Sequence, residues 1–128
     1  MANEDRRKYP RVQIFDPISY LTLDPDGKTV LQNVAVVRNV SQTGIQIEAF
    51  QEVKSKTLSL MFFDMHKNRI EVKGKVVYCR KNESGQFNIG IHLIGTEAEN
   101  LRFVKALVKS YHYQKEKSRL VVAPEILN

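Results

Sequence analysis

Short runs of alternating apolar and polar residues occupy most of the chain between residues 18 and 94. Alternation of this kind, rich in Val, Ile, Thr and aromatic residues, is typical of strands with one buried face. Turn-forming stretches separate the runs, such as "DPDGK" at 24–28, "SQTG" at 41–44 and "KNESGQ" at 81–86. The predicted strands are 18–23, 29–40, 45–50, 57–63, 69–80 and 87–94. Sequential antiparallel strands with one polar face predict a small barrel or sandwich.

The same alternation assigns side chains to the inner or the outer face. We expect Tyr78 to point inward, whereas Cys79 and His92 should lie on the outer face. The positions predicted to face the interior in the three most regular runs are Ile45, Ile47, Ala49, Ile70, Val72, Val76, Phe87, Ile89, Ile91 and Leu93.

The spacing of apolar residues changes to a helical period after residue 95. Between Thr96 and Gln114 they fall at Ala98, Leu101, Val104, Leu107, Val108 and Tyr111. Thr96 and Glu99 have the spacing of a capping box, which predicts that the helix begins there. An amphipathic helix in this position should lie across the barrel or cover its open end.

These elements divide the chain into an N-terminal arm at 1–17, a barrel with its helix at 18–114 and a tail at 115–128. The length of 128 residues fits one domain with a core of its own. The tail, "KEKSRLVVAPEILN", is basic and then apolar. Its composition is compatible with fraying, with packing on the barrel or with binding a partner.

Net charge and cysteine content indicate the kind of partner and the cellular compartment. A net charge of +6 favours an anionic partner but is moderate for a dedicated nucleic-acid-binding protein. Cys79 is the sole cysteine, so a disulfide framework is excluded and a reducing compartment is expected. We see neither a secretory signal nor an apolar run long enough to span a membrane. We therefore predict a cytoplasmic protein without membrane insertion.

Residue types needed for catalysis are not arranged in any recognisable motif. His66, His92 and His112 are scattered and lack metal-ligand spacing, so we interpret each as a surface histidine. Cys79 is expected to be inert. Phosphate-binding and dinucleotide-binding glycine motifs are also missing. The sequence thus predicts no catalytic residue, no metal site, no cofactor and no enzymatic activity.

Two polar stretches remain to be explained, and the first is "RKYPR" in the arm. Pro10 disfavours a helix, so Arg7 and Arg11 should lie on an extended segment, up to about 13 Å apart. Guanidinium groups bind phosphate bidentately, stack on purine rings and match the acceptor edge of guanine. The stretch is therefore suited to a flat ligand with two negative charges. A solvated basic arm is the alternative.

The second stretch is "NVSQTG", at the end of the second predicted strand. Asn39 and Ser41 are two residues apart and share a face if the strand continues. Their amide and hydroxyl groups can hydrogen-bond a ligand, and Gly44 permits a sharp turn or close approach to the backbone. An ordinary turn closed by an Asn or Ser side chain is the alternative.

In this order, on six strands and a helix, the two stretches resemble the PilZ domain family. That family is marked by Arg-x-x-x-Arg in an N-terminal arm, followed by Asp/Asn-x-Ser-x-x-Gly after the second strand. Here Arg7, Arg11, Asn39, Ser41 and Gly44 match all five positions, and "FNIGIHLIG" with "TEAENLRFVKALV" is similar to the family's last strand and closing helix. The resemblance covers residues 4–113. It implies a mostly β protein, a six-stranded antiparallel β-barrel with a C-terminal α-helix, that binds the bacterial messenger cyclic di-GMP.

The resemblance also implies roles for single residues. Arg7 and Arg11 would hold phosphates and guanines, Asn39 and Ser41 would bind a guanine and its neighbouring phosphate, and Gly44 would keep the turn open. Arg6, directly before the motif, implies two stacked ligand molecules per chain.

We expect the free arm to be mobile and the ligand to order it, which would change binding of an unidentified downstream protein. One alternative is a PilZ-fold interaction module that binds no nucleotide, for which the apolar tail is an argument. Another is a small basic barrel that binds nucleic acid, although cations interleaved with aromatic residues, which would favour it, are few. We therefore do not expect nucleic acid among the partners.

Overall fold

Antiparallel strands close into a barrel, and a helix follows the last strand. The computed structural model describes the backbone of residues 12–26 and 28–127, and the side chains of 13–26, 28 and 32–116. The elements are β1 Val12–Leu23, β2 Thr29–Val40, β3 Gly44–Ala49, β4 Thr57–Phe63, β5 Arg69–Lys81, β6 Phe87–Leu93 and α1 Glu97–Leu127. Their spatial order around the barrel is β1-β2-β3-β6-β5-β4. This confirms the predicted six-stranded antiparallel barrel with a C-terminal helix.

Strand β1 is longer than the sequence pattern predicted. It begins at Val12 and not at Ile18, so residues 12–17, which we had assigned to the arm, belong to the barrel wall. Ile14 and Ile18 point into the core, and a buried carboxyl, Asp16, lies between them. That polar residue at an inward position and Pro17 interrupt the alternation of apolar and polar residues, so the sequence pattern did not predict this part of the strand. Pro17 is tolerated because β1 pairs with β4 only from residue 19 onward, so the missing N–H breaks no bond with β4.

Helix α1 closes the barrel through its apolar face. Phe103 and Leu107 are fully buried, and the ring of Phe103 meets that of Phe62 edge to face at 5.3 Å between centroids. The predicted capping box is confirmed: Thr96 Oγ1 accepts from the Glu99 N–H at 3.1 Å, and Glu99 Oε1 accepts from the Thr96 N–H at 2.8 Å. The helical backbone continues past Gln114 to Leu127, so most of the predicted tail is helical.

A bulge in β5 reverses two of the predicted side-chain directions. Val76 lies opposite Ile91, but the next paired residue is Tyr78, which leaves Val77 as the extra residue. An extra residue shifts the alternation by one position. Cys79 therefore packs against the core, and Tyr78 lies on the outer face, so both predictions were wrong. The predicted inward positions on β3 and β6 are correct.

Candidate functional site

The "NVSQTG" stretch lies where β2 turns into β3. Asn39 is near the end of β2, Ser41 is in the turn, and Gly44 begins β3. All three line one cleft of about 290 Å³ on the outer face of the barrel, which we call the motif cleft. The structure thus brings together three predicted site residues. The other three, the arginines at positions 6, 7 and 11, lie outside the described residues.

Asn39 is held on the outer face by a second bulge. Val37 lies opposite Ile47, but Asn39 is the next paired residue and lies opposite Gln46, so Arg38 is extra. The side-chain amide of Asn39 donates a hydrogen bond to Gln46 Oε1. This bond orients the half-buried Asn39 side chain and leaves its Oδ1 to accept from a ligand.

Ser41 closes the turn that follows. Its backbone N–H donates to the carbonyl of Gly44 at 2.8 Å, and its Oγ accepts from the Gly44 N–H at 3.1 Å. The hydroxyl lies 3.4 Å from the Gly44 carbonyl oxygen, a long contact that a better acceptor can replace. Ser41 therefore has a structural role besides any contact with a ligand.

Gly44 is needed for packing between strands. A Cβ atom at this position would lie 3.1 Å from the carbonyl oxygen of Ile91 on β6. That is closer than a carbon and an oxygen normally approach, so a larger residue would push β3 away from β6. The φ angle of Gly44 is not positive, so close approach of the strands, and not turn geometry, explains the glycine.

Tyr78 provides an aromatic surface across the motif cleft. Its ring lies over Gly90, where any side chain would collide with it. The guanidinium carbon of Arg80 lies 4.9 Å from the ring centroid. Sequence reasoning missed Tyr78 because nothing in the alternation of β5 reveals the bulge at Val77. It also missed Gln46, although Gln46 is an outward position of a correctly predicted strand.

A larger cleft of about 670 Å³ adjoins the motif cleft and shares Asn39 and Gln46 with it. Here Arg38 pairs with Glu48 at 2.5 Å, and its guanidinium carbon lies 5.4 Å from the centroid of Phe15. Glu48 also accepts from Asn82 Nδ2 at 2.7 Å. Among the described residues lining the two clefts, Arg38 is the only Lys or Arg, and its charge is compensated.

The described part of β1 begins beside this site. Val12 lies opposite Val40, and Gln13 lies opposite Asn39. The first described residues of β1 therefore pair with the end of β2 that carries Asn39.

The described part of the chain holds no group of three or more His, Cys, Asp or Glu residues that could bind a metal ion. None of its helices has both the length and the apolar character required to cross a membrane.

A protein-family model described as the PilZ domain matches residues 5–110. The chain belongs to the PilZ domain family. The match includes most of the arm, the motif cleft and the first part of α1, so the resemblance found in the sequence is confirmed. No match was found among curated proteins.

Solved structures share the fold at low sequence identity. The PilZ domain of YcgR from Escherichia coli with c-di-GMP has a TM-score of 0.54 and 12% identity, over 89% of this chain and 98% of that one. The MrkH–c-di-GMP complex of K. pneumonia has a TM-score of 0.57 and 12% identity, over 88% of this chain and 54% of that one. The Bacillus subtilis inhibitor of motility (MotI/DgrA) has a TM-score of 0.57 and 17% identity, over 88% and 53%. The chain therefore spans about half the length of MrkH and MotI/DgrA.

Proposed function

We propose that this PilZ domain is a receptor for cyclic di-GMP. The observation that carries the proposal is that Asn39, Ser41 and Gly44 line one cleft at the point where the N-terminal arm enters β1. Similar PilZ structures include two in complex with c-di-GMP, those of YcgR and MrkH. Family membership and site position together support this ligand.

The barrel wall offers groups that fit a guanine and a phosphate. Asn39 Oδ1 accepts from the N1–H and amino groups of a guanine while its own amide is bound by Gln46. The Ser41 hydroxyl turns from its long contact with the Gly44 carbonyl to donate to a phosphate oxygen. Tyr78 supplies a ring face on which a purine can stack in place of Arg80.

The two phosphate charges of the ligand require cations besides Arg80, which lies over the ring of Tyr78 but does not line the clefts. Arg38 is paired with Glu48, and no other Lys or Arg among the described residues lines the clefts. Arg7 and Arg11 fill this role in our proposal, because arginine binds phosphate bidentately and stacks on guanine. Val12, the first described residue of β1, lies opposite Val40 at the end of β2.

Signalling in this proposal depends on the arm. Ligand that bridges the arginines and the motif cleft fixes the arm against the barrel, and the changed surface alters binding of a downstream protein.

Arg6 adds a third guanidinium next to the motif, so we propose two stacked ligand molecules per chain. Replacing Arg6 by Gln should then reduce the stoichiometry from two to one.

Titration calorimetry of the full chain with cyclic di-GMP tests the proposal, with cyclic di-AMP as the matched control. The control keeps both phosphates and the ring but lacks the guanine N1–H and amino donors for Asn39. We expect a dissociation constant in the micromolar range or tighter for cyclic di-GMP, and at least about tenfold weaker binding of cyclic di-AMP. No binding of cyclic di-GMP at high micromolar concentration, by protein shown to be folded, would contradict the proposal.

A further inference from the structure

A third cleft, of about 520 Å³, lies on the other side of β1, where β1 and β4 separate. Pairing between these strands runs from Ser19 opposite Met61 to Leu23 opposite Thr57, and β1 continues past its end. Helix α1 forms the remaining wall with Ser110 and Gln114. We call this space the β1–β4 cleft.

Asp16 lines the β1–β4 cleft and is only 8% exposed. Its carboxyl group has no hydrogen bond or ion pair with any other described residue, and it is the only ionisable side chain among the residues that line the cleft. Burial raises the pKa of this carboxyl to about 6. A carboxylate that is largely shielded from water and has no partner is costly, so this group favours a cation or a strong hydrogen-bond donor beside it.

The rim of the same cleft is apolar and exposed. Val34 is 65% exposed and Phe63 is 60% exposed, although both are large apolar side chains. Met61 lines the same cleft and is half-buried. Adjacent exposed apolar residues around a recess mark surfaces that bind other molecules.

We propose that the β1–β4 cleft binds a Lys or Arg side chain of a partner protein, with apolar neighbours of that side chain on Val34 and Phe63. The cationic head pairs with Asp16 and also donates to the Ser110 hydroxyl. Its aliphatic stem packs on Met61. This occupant satisfies the buried charge and covers the apolar rim together, which neither a free cation nor a purely apolar segment does.

The proposal does not depend on cyclic di-GMP binding, but the two sites share a wall. Phe15 lines both the β1–β4 cleft and the cleft that contains Arg38, and Arg38 lies over its ring. A ligand that moves Arg38 or the start of β1 therefore changes the shape of the β1–β4 cleft. Ligand binding at the arm can therefore alter partner binding at the β1–β4 cleft through a single shared residue, Phe15.

Benzamidine is a suitable first probe because it joins an apolar ring to an amidinium fork, and benzamide is its neutral counterpart. We would titrate each into the ¹⁵N-labelled full chain and follow amide chemical shifts. Benzamidine should shift the amide signals of Phe63, Ser110 and Gln114 saturably in the millimolar range. Benzamide should bind at least about tenfold more weakly, because it cannot pair with a carboxylate.

Two substitutions locate the site. Asp16→Asn should weaken benzamidine binding at least about tenfold, whereas Asp26→Asn, which removes the same charge from an exposed turn, should leave it unchanged.

A capped Leu-Phe-Arg-Leu peptide should bind more tightly than benzamidine. Its citrulline counterpart, which has the same shape without the charge, should lose most of that affinity. Phe63→Ser should weaken the peptide without changing the folded state.

Each other outcome overturns the proposal. Equal binding of benzamidine and benzamide, or unchanged binding by Asp16→Asn, would show that the carboxylate does not recognise a cation. Dissociation of a dimer by Phe63→Ser in sedimentation experiments would assign the cleft to a second copy of the chain. Binding that occurs only when Arg7 and Arg11 are both replaced by Gln would assign it to the protein's own arm.

Discussion

The two sides of β1 differ in how their polar groups are balanced. On the β2 side, Arg38 is paired with Glu48 and Asn39 with Gln46, so the wall is polar and its cation is compensated. On the β4 side the other wall residues are apolar or neutral, and the one buried carboxyl, Asp16, has no partner among the described residues. The first surface suits an anion whose charge is met by arginines from elsewhere in the chain. The second suits a cation supplied by another molecule.

The largest expected effect tests the claim that the β2 side depends on arginines from the arm. Arg11→Gln should weaken cyclic di-GMP binding about 100-fold in calorimetry, because a bidentate charge-assisted pair is lost beside a wall whose own cation is compensated. Lys8→Gln removes the same charge from the same arm outside the motif and should cost about twofold or less. Equal losses in both variants would mean that general charge attraction explains binding.

The next effect tests the unpaired charge on the β4 side. The pKa of Asp16 is raised from 3.8 to about 6 by burial, so the folded state binds its proton more tightly than the unfolded state does. Its contribution to stability is therefore full below about pH 4 and is lost as the pH rises to about 6. Asp16→Asn should stabilise the protein by about 1–3 kcal/mol at pH 8, and the gain should vanish below pH 4.

Urea unfolding of both proteins between pH 3.5 and pH 8 measures this difference. The pKa values of Asp64 and Glu99 are lowered by hydrogen bonds from Asn68 and Thr96, which produces the opposite slope, but both groups are present in both proteins and cancel in the comparison. Asp26→Asn, which removes the same charge from an exposed turn, is the matched control. A constant difference between Asp16→Asn and the parent protein would mean that Asp16 does not titrate in this range.

A smaller effect tests the aromatic face of the motif cleft. Tyr78→Leu should weaken cyclic di-GMP binding about tenfold by removing a stacking surface, without changing benzamidine binding on the β4 side. Tyr113→Leu, an exposed tyrosine on α1, is the matched control and should bind normally. If Tyr78→Leu weakened both probes equally, the two sides of β1 would not be separate sites.

The smallest effect separates the two roles of Ser41. Ser41→Ala removes the acceptor for the Gly44 N–H, and should destabilise the protein by about 1 kcal/mol in urea unfolding. If the hydroxyl also donates to a phosphate, cyclic di-GMP affinity should fall about tenfold. Ser55→Ala, the control, should change neither the stability nor the affinity. A loss of stability without a loss of affinity would restrict Ser41 to closing the turn.

The motif residues could be predicted because their positions follow from local spacing. Asn39, Ser41 and Gly44 are within six residues of each other, and a strand end followed by a turn places them together whatever the rest of the fold does. Their partners were harder to find. Gln46 is contributed by a neighbouring strand, and its pairing with Asn39 depends on the bulge at Arg38.

Tyr78 and Asp16 show why pattern reading failed elsewhere. A strand's alternation assigns faces only while its register is unbroken, and the bulge at Val77 exchanged the directions of Tyr78 and Cys79. Asp16 was read as part of a polar arm because buried carboxyl groups are rare. Its burial results from β1 extending past β4 and lying under α1, a contact between segments about 90 residues apart in sequence.

The sequence by itself determined most of the strand positions and the capped helix, because these depend on periodicity and on spacing within short segments. The resemblance of its motif residues to the PilZ family implied the barrel and the family. Tertiary structure decided which side chains share a cleft, which charges are compensated and which carboxyl group is buried without a partner. Those properties depend on strand register, bulges and the helix that covers the barrel end. These properties are determined by contacts between distant segments, which cannot be predicted from a local pattern of residues.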